Sequence, residues 1–217
     1  APSVLVGDFL YTRAFQLMVA LSDARLLKMM ADTTNTIAAG EVLQLIRAGD
    51  SSTSETQYFD VIDRKTAALF AAGCEGAGLL AGASDDVLAC LRSYGANIGT
   101  SFQLVDDLLD YEGDPETTGK NVGDDLAEGK TTLPLIHAMR EGSAAQARLV
   151  REALDTKDRG MLEAVVSVVR ESGSLAYTRD AAVRCNQTAL EALAGLPESP
   201  ARAAMVELAN FALARRS

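Results

Sequence analysis

Apolar residues recur at helical spacing along most of the chain, and clusters of Gly, Pro, Ser, Thr and Asp break the pattern into segments. The first, residues 3–21, is entered through Pro2-Ser3 and carries Val6, Leu10, Ala14, Leu17 and Leu21 at helical intervals, so it reads as a core helix. Asp23 is placed to cap a second helix over residues 24–48, whose middle holds a polar patch at residues 32–36. A Ser/Thr/Gly-rich loop over residues 49–56 precedes a third helix, residues 55–83, with Gly73, Gly76, Gly78 and Gly82 late in it. Four glycines in a helix imply a close helix contact or room for a ligand, and spacing does not decide between them. Ser84 caps a fourth helix over residues 86–111, with Asp85 and Asp86 at its positive end rather than in any site. Asp124-Asp125-Leu126 leads into a helix over residues 131–141, with Pro134 in its first turn. Amphipathic helices follow over residues 143–156, 158–171, 174–194 and 199–215. The chain is therefore expected to be all-α and a single domain over residues 1–217.

Composition narrows the function. Apolar residues make up 48% of 217, enough for a sizeable core, and the net charge is −10. That charge argues against nucleic acid as a partner, since phosphate backbones demand basic surface. Any anionic substrate needs local cations. The three cysteines lie far apart with no CxxC pair, which points to free thiols in a reducing cytoplasm and away from zinc. No apolar run approaches the length of a transmembrane span. The single histidine, His137, has no motif around it and reads as a satisfied residue rather than a general base. The chain starts at Ala1 without Met, already close to the interior of a helix, so an N-terminal portion of the natural protein is expected to be missing.

The chemistry concentrates in residues 99–130. Within Phe102-Gln103-Leu104-Val105-Asp106-Asp107-Leu108-Leu109-Asp110-Tyr111, three carboxylates fall in five residues of an otherwise apolar run. On a helix Asp106 and Asp110 lie one turn apart on one face, and Gln103 extends the stripe. Like charges so spaced destabilise a helix by about 0.2–0.5 kcal/mol per pair, and by more when burial is near. A hard cation such as Mg²⁺ removes the penalty, because it is held by one or two carboxylates plus substrate phosphates. Lys120 and Lys130 follow in a Gly-punctuated segment, which suits a polyphosphate bridged by metal on one side and neutralised by ammonium on the other.

With those residues in view, the stretch 99–134 resembles the second aspartate-rich region of the trans-polyprenyl diphosphate synthases, and the likeness runs over nearly the whole chain, most of all to long-chain, octaprenyl-type bacterial enzymes. Lys65-Thr66 in Arg64-Lys65-Thr66-Ala67-Ala68-Leu69-Phe70 resembles that family's Lys-Thr pair, and Gly40-Glu41-Val42-Leu43-Gln44-Leu45 resembles another of its signatures. The resemblance implies an isoprenoid synthase-type helical bundle around a central cavity, incomplete at the N-terminus. It implies Mg²⁺ on Asp106, Asp107 and Asp110. Lys65, Thr66, Gln103, Lys120 and Lys130 would then serve the allylic diphosphate and the developing cation, with Asp125 close by. The reaction implied joins an allylic diphosphate, farnesyl diphosphate-like, to isopentenyl diphosphate, giving a long trans chain for a quinone side chain. Family members are commonly homodimers. Thr66 is expected to back-bond and bend its helix, exposing carbonyls to the cation. Phe15, Leu17 and Met18 are candidates for the floor of a product tunnel.

One departure stands out. The family's first aspartate-rich motif and its basic isopentenyl diphosphate site lie upstream of this chain, so the 217 residues alone are expected to be inactive or nearly so. Two rival readings are a non-catalytic regulatory subunit and a class I terpene cyclase. The intact Asp-Asp-Leu-Leu-Asp and Lys-Thr motifs weigh against the first, and Asp-Asp-Leu-Leu-Asp in place of a cyclase's Asn with Ser/Thr and Glu weighs against the second.

Overall fold

The computed structural model describes residues 2–112 and 122–215, and among them every regular element is helical. In order they are α1 (Pro2–Ala20), α2 (Ala24–Arg47), α3 (Glu55–Ile62), a π-helical turn (Asp63–Ala67), α4 (Ala68–Leu80), α5 (Asp85–Glu112), α6 (Asp124–Ala127), α7 (Leu133–Glu141), α8 (Ala144–Thr156), a 3-10 turn (Arg159–Met161), α9 (Leu162–Glu171), α10 (Ser174–Leu193) and α11 (Pro200–Ala214). Polar caps start several of them. Asp23 accepts from the Arg25 and Leu26 amides, and Ser199 from the Arg202 amide. Ser54 with Gln57, and Ser143 with Gln146, form reciprocal capping boxes.

The long α5 is the axis of the bundle, with α4 packed on one side and α10 on the other. Leu104, Leu108 and Tyr111 of α5 are fully buried. Around them, Tyr58, Ile62, Leu133 and Ile136 fill one cluster, and Tyr111, Leu135, Val150, Leu154, Val165 and Val169 fill another. Gly95 and Gly99 let α4 approach: a Cβ on Gly95 would lie 2.4 Å from the Phe70 carbonyl oxygen, and one on Gly99 would lie 2.7 Å from the Ala67 Cα. The glycines of α4 split in purpose. Gly76 and Gly78 sit against the side chains of Met29, Leu26, Leu91 and Leu88, whereas Gly73 faces open space. Close packing, not ligand room, explains the two buried ones.

Three expectations need correction. The third helix, expected unbroken over residues 55–83, is split by the π turn, and it ends at Leu80. Asp124-Asp125-Leu126 forms its own single turn, and the next helix begins only at Leu133, after an extended Thr132. The core role expected for α1 does not hold: none of its residues is buried, and Val6, Leu10 and Leu17 are 57%, 61% and 56% exposed. Its apolar residues, Val4, Leu5 and Val6 in succession among them, are spread round the helix and interspersed with Asp8, Thr12, Arg13 and Gln16, so no one face is marked as inner. Of the tunnel-floor candidates on it, Phe15 and Met18 are half-buried and Leu17 is exposed.

His137 is buried and satisfied. Its Nδ1 lies 3.0 Å from the Ser174 hydroxyl, and its ring stacks on Tyr177 at 4.3 Å. The Tyr177 hydroxyl donates to Glu55, which also pairs with Arg140 at 2.8 Å. Among the described residues no helix is long and apolar enough to cross a membrane.

Candidate active site

Three elements meet beside the middle of α5. Gly40 brings α2 against the π turn, for a Cβ there would lie 2.7 Å from the Lys65 amide nitrogen. From that turn Lys65 reaches back to α2, with its ammonium 2.6 Å from Gln44 Oε1 and 2.8 Å from Glu41 Oε2. The next residue turns the other way: Thr66 donates to Gln103 Oε1 on α5 at 3.1 Å. In an unbroken α-helix neighbours diverge by about 100° and continue the same winding. Here the wider π turn, a feature frequent at functional sites, sets both side chains over one hollow.

That hollow is a cavity of about 240 Å³. Its walls include the cations Arg47, Lys65 and Lys130, the carboxylates Asp106, Asp107 and Asp125, and the side chains of Thr66 and Gln103. Lys130 Nζ is 2.8 Å from Asp125 Oδ1 and 2.8 Å from Glu128 Oε2. Burial pulls the Lys130 ammonium toward neutrality, but these two carboxylates more than reverse it, so it stays firmly charged.

The three aspartates of the α5 cluster differ in environment. Asp106 stands on the cavity wall, and Arg215 approaches it at 3.4 Å while lying over the Phe102 ring. Asp107 is 2% exposed, and both of its oxygens have protein donors: Gln103 Nε2 at 2.9 Å and the Tyr58 hydroxyl at 2.6 Å. Burial first, and then the nearby Asp125 charge, raise Asp107 to about 8. Asp110 lies behind the wall, with Oδ1 3.4 Å from the Asp125 amide and Oδ2 buried without a partner among the described residues. Burial and Asp125 again raise it, to about 7.

The structure therefore brings Lys65, Thr66, Gln103, Asp106, Asp107 and Lys130 to one cavity, with Asp110 just outside its lining. Lys120 lies outside the described residues. The expected back-bond of Thr66 is replaced by its bond to Gln103, and the π turn supplies the bend. Sequence reading did not single out Tyr58, Arg47 or Thr53, all of which line the cavity. One signal was available: Arg47 follows Gln44 by three residues, one helical turn along the same face.

Among the described residues no three His, Cys, Asp or Glu side chains converge as a ready metal cage. The donor set still fits a hard divalent cation that keeps water and substrate oxygens in its shell. The candidates are all carboxylates, and Asp106 and Asp125 face the cavity. Among the described residues, Asp110 Oδ2 remains a buried acceptor without a donor.

Comparison with known proteins gives this geometry its context. The family model described as Polyprenyl synthetase matches residues 1–171. The chain is 48% identical over 216 residues to the octaprenyl diphosphate synthase of Escherichia coli (strain K12), covering 99% of this chain and 67% of that protein. It is 45% identical over 213 residues to an all-trans-nonaprenyl-diphosphate synthase (geranyl-diphosphate specific) of Rhodobacter capsulatus, covering 98% and 65%. A polyprenyl synthase structure from Caulobacter crescentus CB15, complexed with calcium and isoprenyl diphosphate, superposes with a TM-score of 0.95 at 42% identity, covering 100% of this chain and 67% of that one. The chain thus spans about two thirds of the length of these relatives. Bundle, cavity and relatives together define a prenyltransferase. Within that class, the chain belongs to the polyprenyl synthetase family.

Proposed function

We propose that this cavity binds the diphosphate of an allylic substrate, farnesyl diphosphate-like, and that the enzyme extends it with isopentenyl diphosphate units in a Mg²⁺-dependent reaction. The carrying observation is one cavity lined by Lys65 and Lys130, by Asp106 and Asp125, and by Thr66 and Gln103. Lys65 and Lys130 neutralise phosphate oxygens, with Lys120 joining them. Arg47, which also lines the cavity, adds a planar donor fork for the same group. Asp106 and Asp125 are the carboxylates on the wall for Mg²⁺, with Asp110 behind them. When bound, Mg²⁺ supplies Lewis-acid stabilisation of the departing pyrophosphate. Thr66 and Gln103 place oxygen atoms where the electron-poor allylic carbon must lie.

The product proposed is a long trans chain of octaprenyl type, of the kind attached to quinones, because an octaprenyl synthase is 48% identical to this chain. We further propose a cytoplasmic homodimer. The apolar residues exposed on α1 and α2, such as Phe9, Leu45 and Ile46, are where a second copy would pack. The test is to incubate the native enzyme with farnesyl diphosphate, isopentenyl diphosphate and Mg²⁺ and to size the product by chromatography. Mg²⁺-dependent formation of a polyprenyl diphosphate near eight isoprene units is expected. A cyclic hydrocarbon, or no incorporation without a second type of subunit, would overturn the reading.

A further inference from the structure

Tyr58 meets Asp107 at the cavity wall, and the reaction outlined above gives Tyr58 no task. The contact belongs to a directed chain of hydrogen bonds. The buried Tyr58 hydroxyl donates to Asp107 Oδ2 at 2.6 Å. Gln103 Nε2 donates to Asp107 Oδ1 at 2.9 Å. Thr66 donates to Gln103 Oε1 at 3.1 Å. Three elements contribute: α3 gives Tyr58, the π turn gives Thr66, and α5 gives Gln103 and Asp107.

The direction of this chain follows from donor chemistry. A carboxamide has nearly the same shape when turned over, so packing alone does not decide which end faces Asp107. Asp107 accepts on both oxygens, from Tyr58 and from Gln103, so it is the amide nitrogen of Gln103 that faces it. Gln103 Oε1 must then face Thr66, and Thr66 must spend its one proton on it. Thr66 Oγ1 and Gln103 Oε1 are then left with lone pairs rather than protons to offer, and that is the polarity a developing allylic cation requires. Asp107 holds this arrangement only while its own orientation is fixed, and Tyr58 is the partner that fixes it. With each oxygen engaged and 2% of its surface open, Asp107 has little left for a metal shell.

We infer that Asp107 is the anchor of a hydrogen-bond relay rather than a metal ligand, and that Tyr58, acting through it, is a positioning residue for Thr66 and Gln103. This rests on the prenyl-transfer reading of the cavity. Removing the phenol leaves Asp107 Oδ2 buried and unpaired, so the carboxylate turns to find another donor and Gln103 loses its orientation.

The test uses the native enzyme with Tyr58→Phe, Asp107→Asn and Asp106→Asn, each checked for folding by circular dichroism. Two quantities are read: kcat and KM for prenyl transfer, and binding of inorganic pyrophosphate with Mg²⁺ by calorimetry. Losing this bond leaves a buried acceptor unpaired, so Tyr58→Phe is expected to lower kcat roughly 10- to 100-fold. KM and Mg²⁺-pyrophosphate binding should stay within about twofold. Asp107→Asn should follow the same pattern, whereas Asp106→Asn should weaken Mg²⁺-pyrophosphate binding at least about tenfold. Parental kcat in Tyr58→Phe would overturn the inference, as would an Asp107→Asn variant that loses pyrophosphate binding as Asp106→Asn does. If the parent itself shows no Mg²⁺-dependent pyrophosphate binding, the reading of the cavity fails first and the inference with it.

Discussion

Replacing Gly99 with Ala probes how the seam between α4 and α5 holds the site together. The added methyl group would fall 2.7 Å from the Ala67 Cα and 3.1 Å from the Phe70 Cβ. Ala67 is backbone at the end of the π turn and has no rotamer to yield. Ordinary contact begins near 3.4 Å, so the turn must back away by roughly 0.7 Å. Overpacking of this kind costs about 1–3 kcal/mol, and exchanging a helical Gly for Ala returns about 1 kcal/mol. A net loss of up to about 2 kcal/mol corresponds to a fall in Tm of up to about 8 °C for a chain of this size. The damage should reach the chemistry as well. The Thr66–Gln103 bond, now 3.1 Å, lies one turn further along the same seam and would open to roughly 3.8 Å, too long to count. Gly73→Ala is the control. Gly73 is exposed on α4, and a Cβ there meets no atom within 4 Å, so the same chemical change should stabilise by about 0.5–1 kcal/mol. Urea unfolding followed by far-ultraviolet circular dichroism, with prenyl transfer measured alongside, reads both effects. A Gly99→Ala variant with the parent's urea midpoint and the parent's turnover would refute the seam argument.

Other outcomes follow from the same geometry. Asp107 and Asp110 hold protons in the folded chain up to about pH 8 and about pH 7, whereas their ordinary value is 3.8. Between about pH 4 and pH 8 the folded state therefore binds more protons than the unfolded one, and stability without metal should fall as pH rises. Melting curves at pH 5.5 and pH 8 check this, and equal midpoints would count against it. Lys130→Met leaves Asp125 without its 2.8 Å partner, and it should lower stability by about 1–3 kcal/mol while weakening pyrophosphate binding; chemical denaturation and calorimetry measure the two losses. Ser54→Ala removes one half of the capping box of α3 and should cost about 1 kcal/mol in a urea titration. Tyr177→Phe breaks the bonds at 2.8 and 2.9 Å to Glu55 and should cost about 1–2 kcal/mol in the same titration, with turnover little changed.

Much of this molecule was legible before any coordinates. Helix starts are local events, so Asp23 announced itself through cap chemistry, while Gly76 and Gly78 left a close contact and room for a ligand undecided until the packing was seen. The charged and amide residues of the site were legible too, because Asp, Lys and Gln inside apolar runs need a reason to be there. Three things were not. The π turn has no compositional mark; it is fixed by the packing of Gly40 and Gly99 on either side of it. Tyr58 sat at an apolar position, and only its hydroxyl, meeting Asp107 49 residues away, sets it apart from core. The exposure of α1 was hidden because apolar residues spread round a helix give periodicity no inner face to detect.

The π turn carries a consequence for how this chain tolerates changes in length. Such a turn amounts to one surplus residue accommodated in an α-helix. Elsewhere, deleting a helical residue swings everything downstream by about 100° and destroys the packing. Here, excising one residue from 63–67 would let α3 and α4 fuse into a single regular rod, with Tyr58 and Gly76 keeping their outlooks. The scaffold would absorb the loss, while Lys65 and Thr66 would no longer turn inward side by side. Chain length at this spot governs the chemistry and leaves the architecture nearly indifferent.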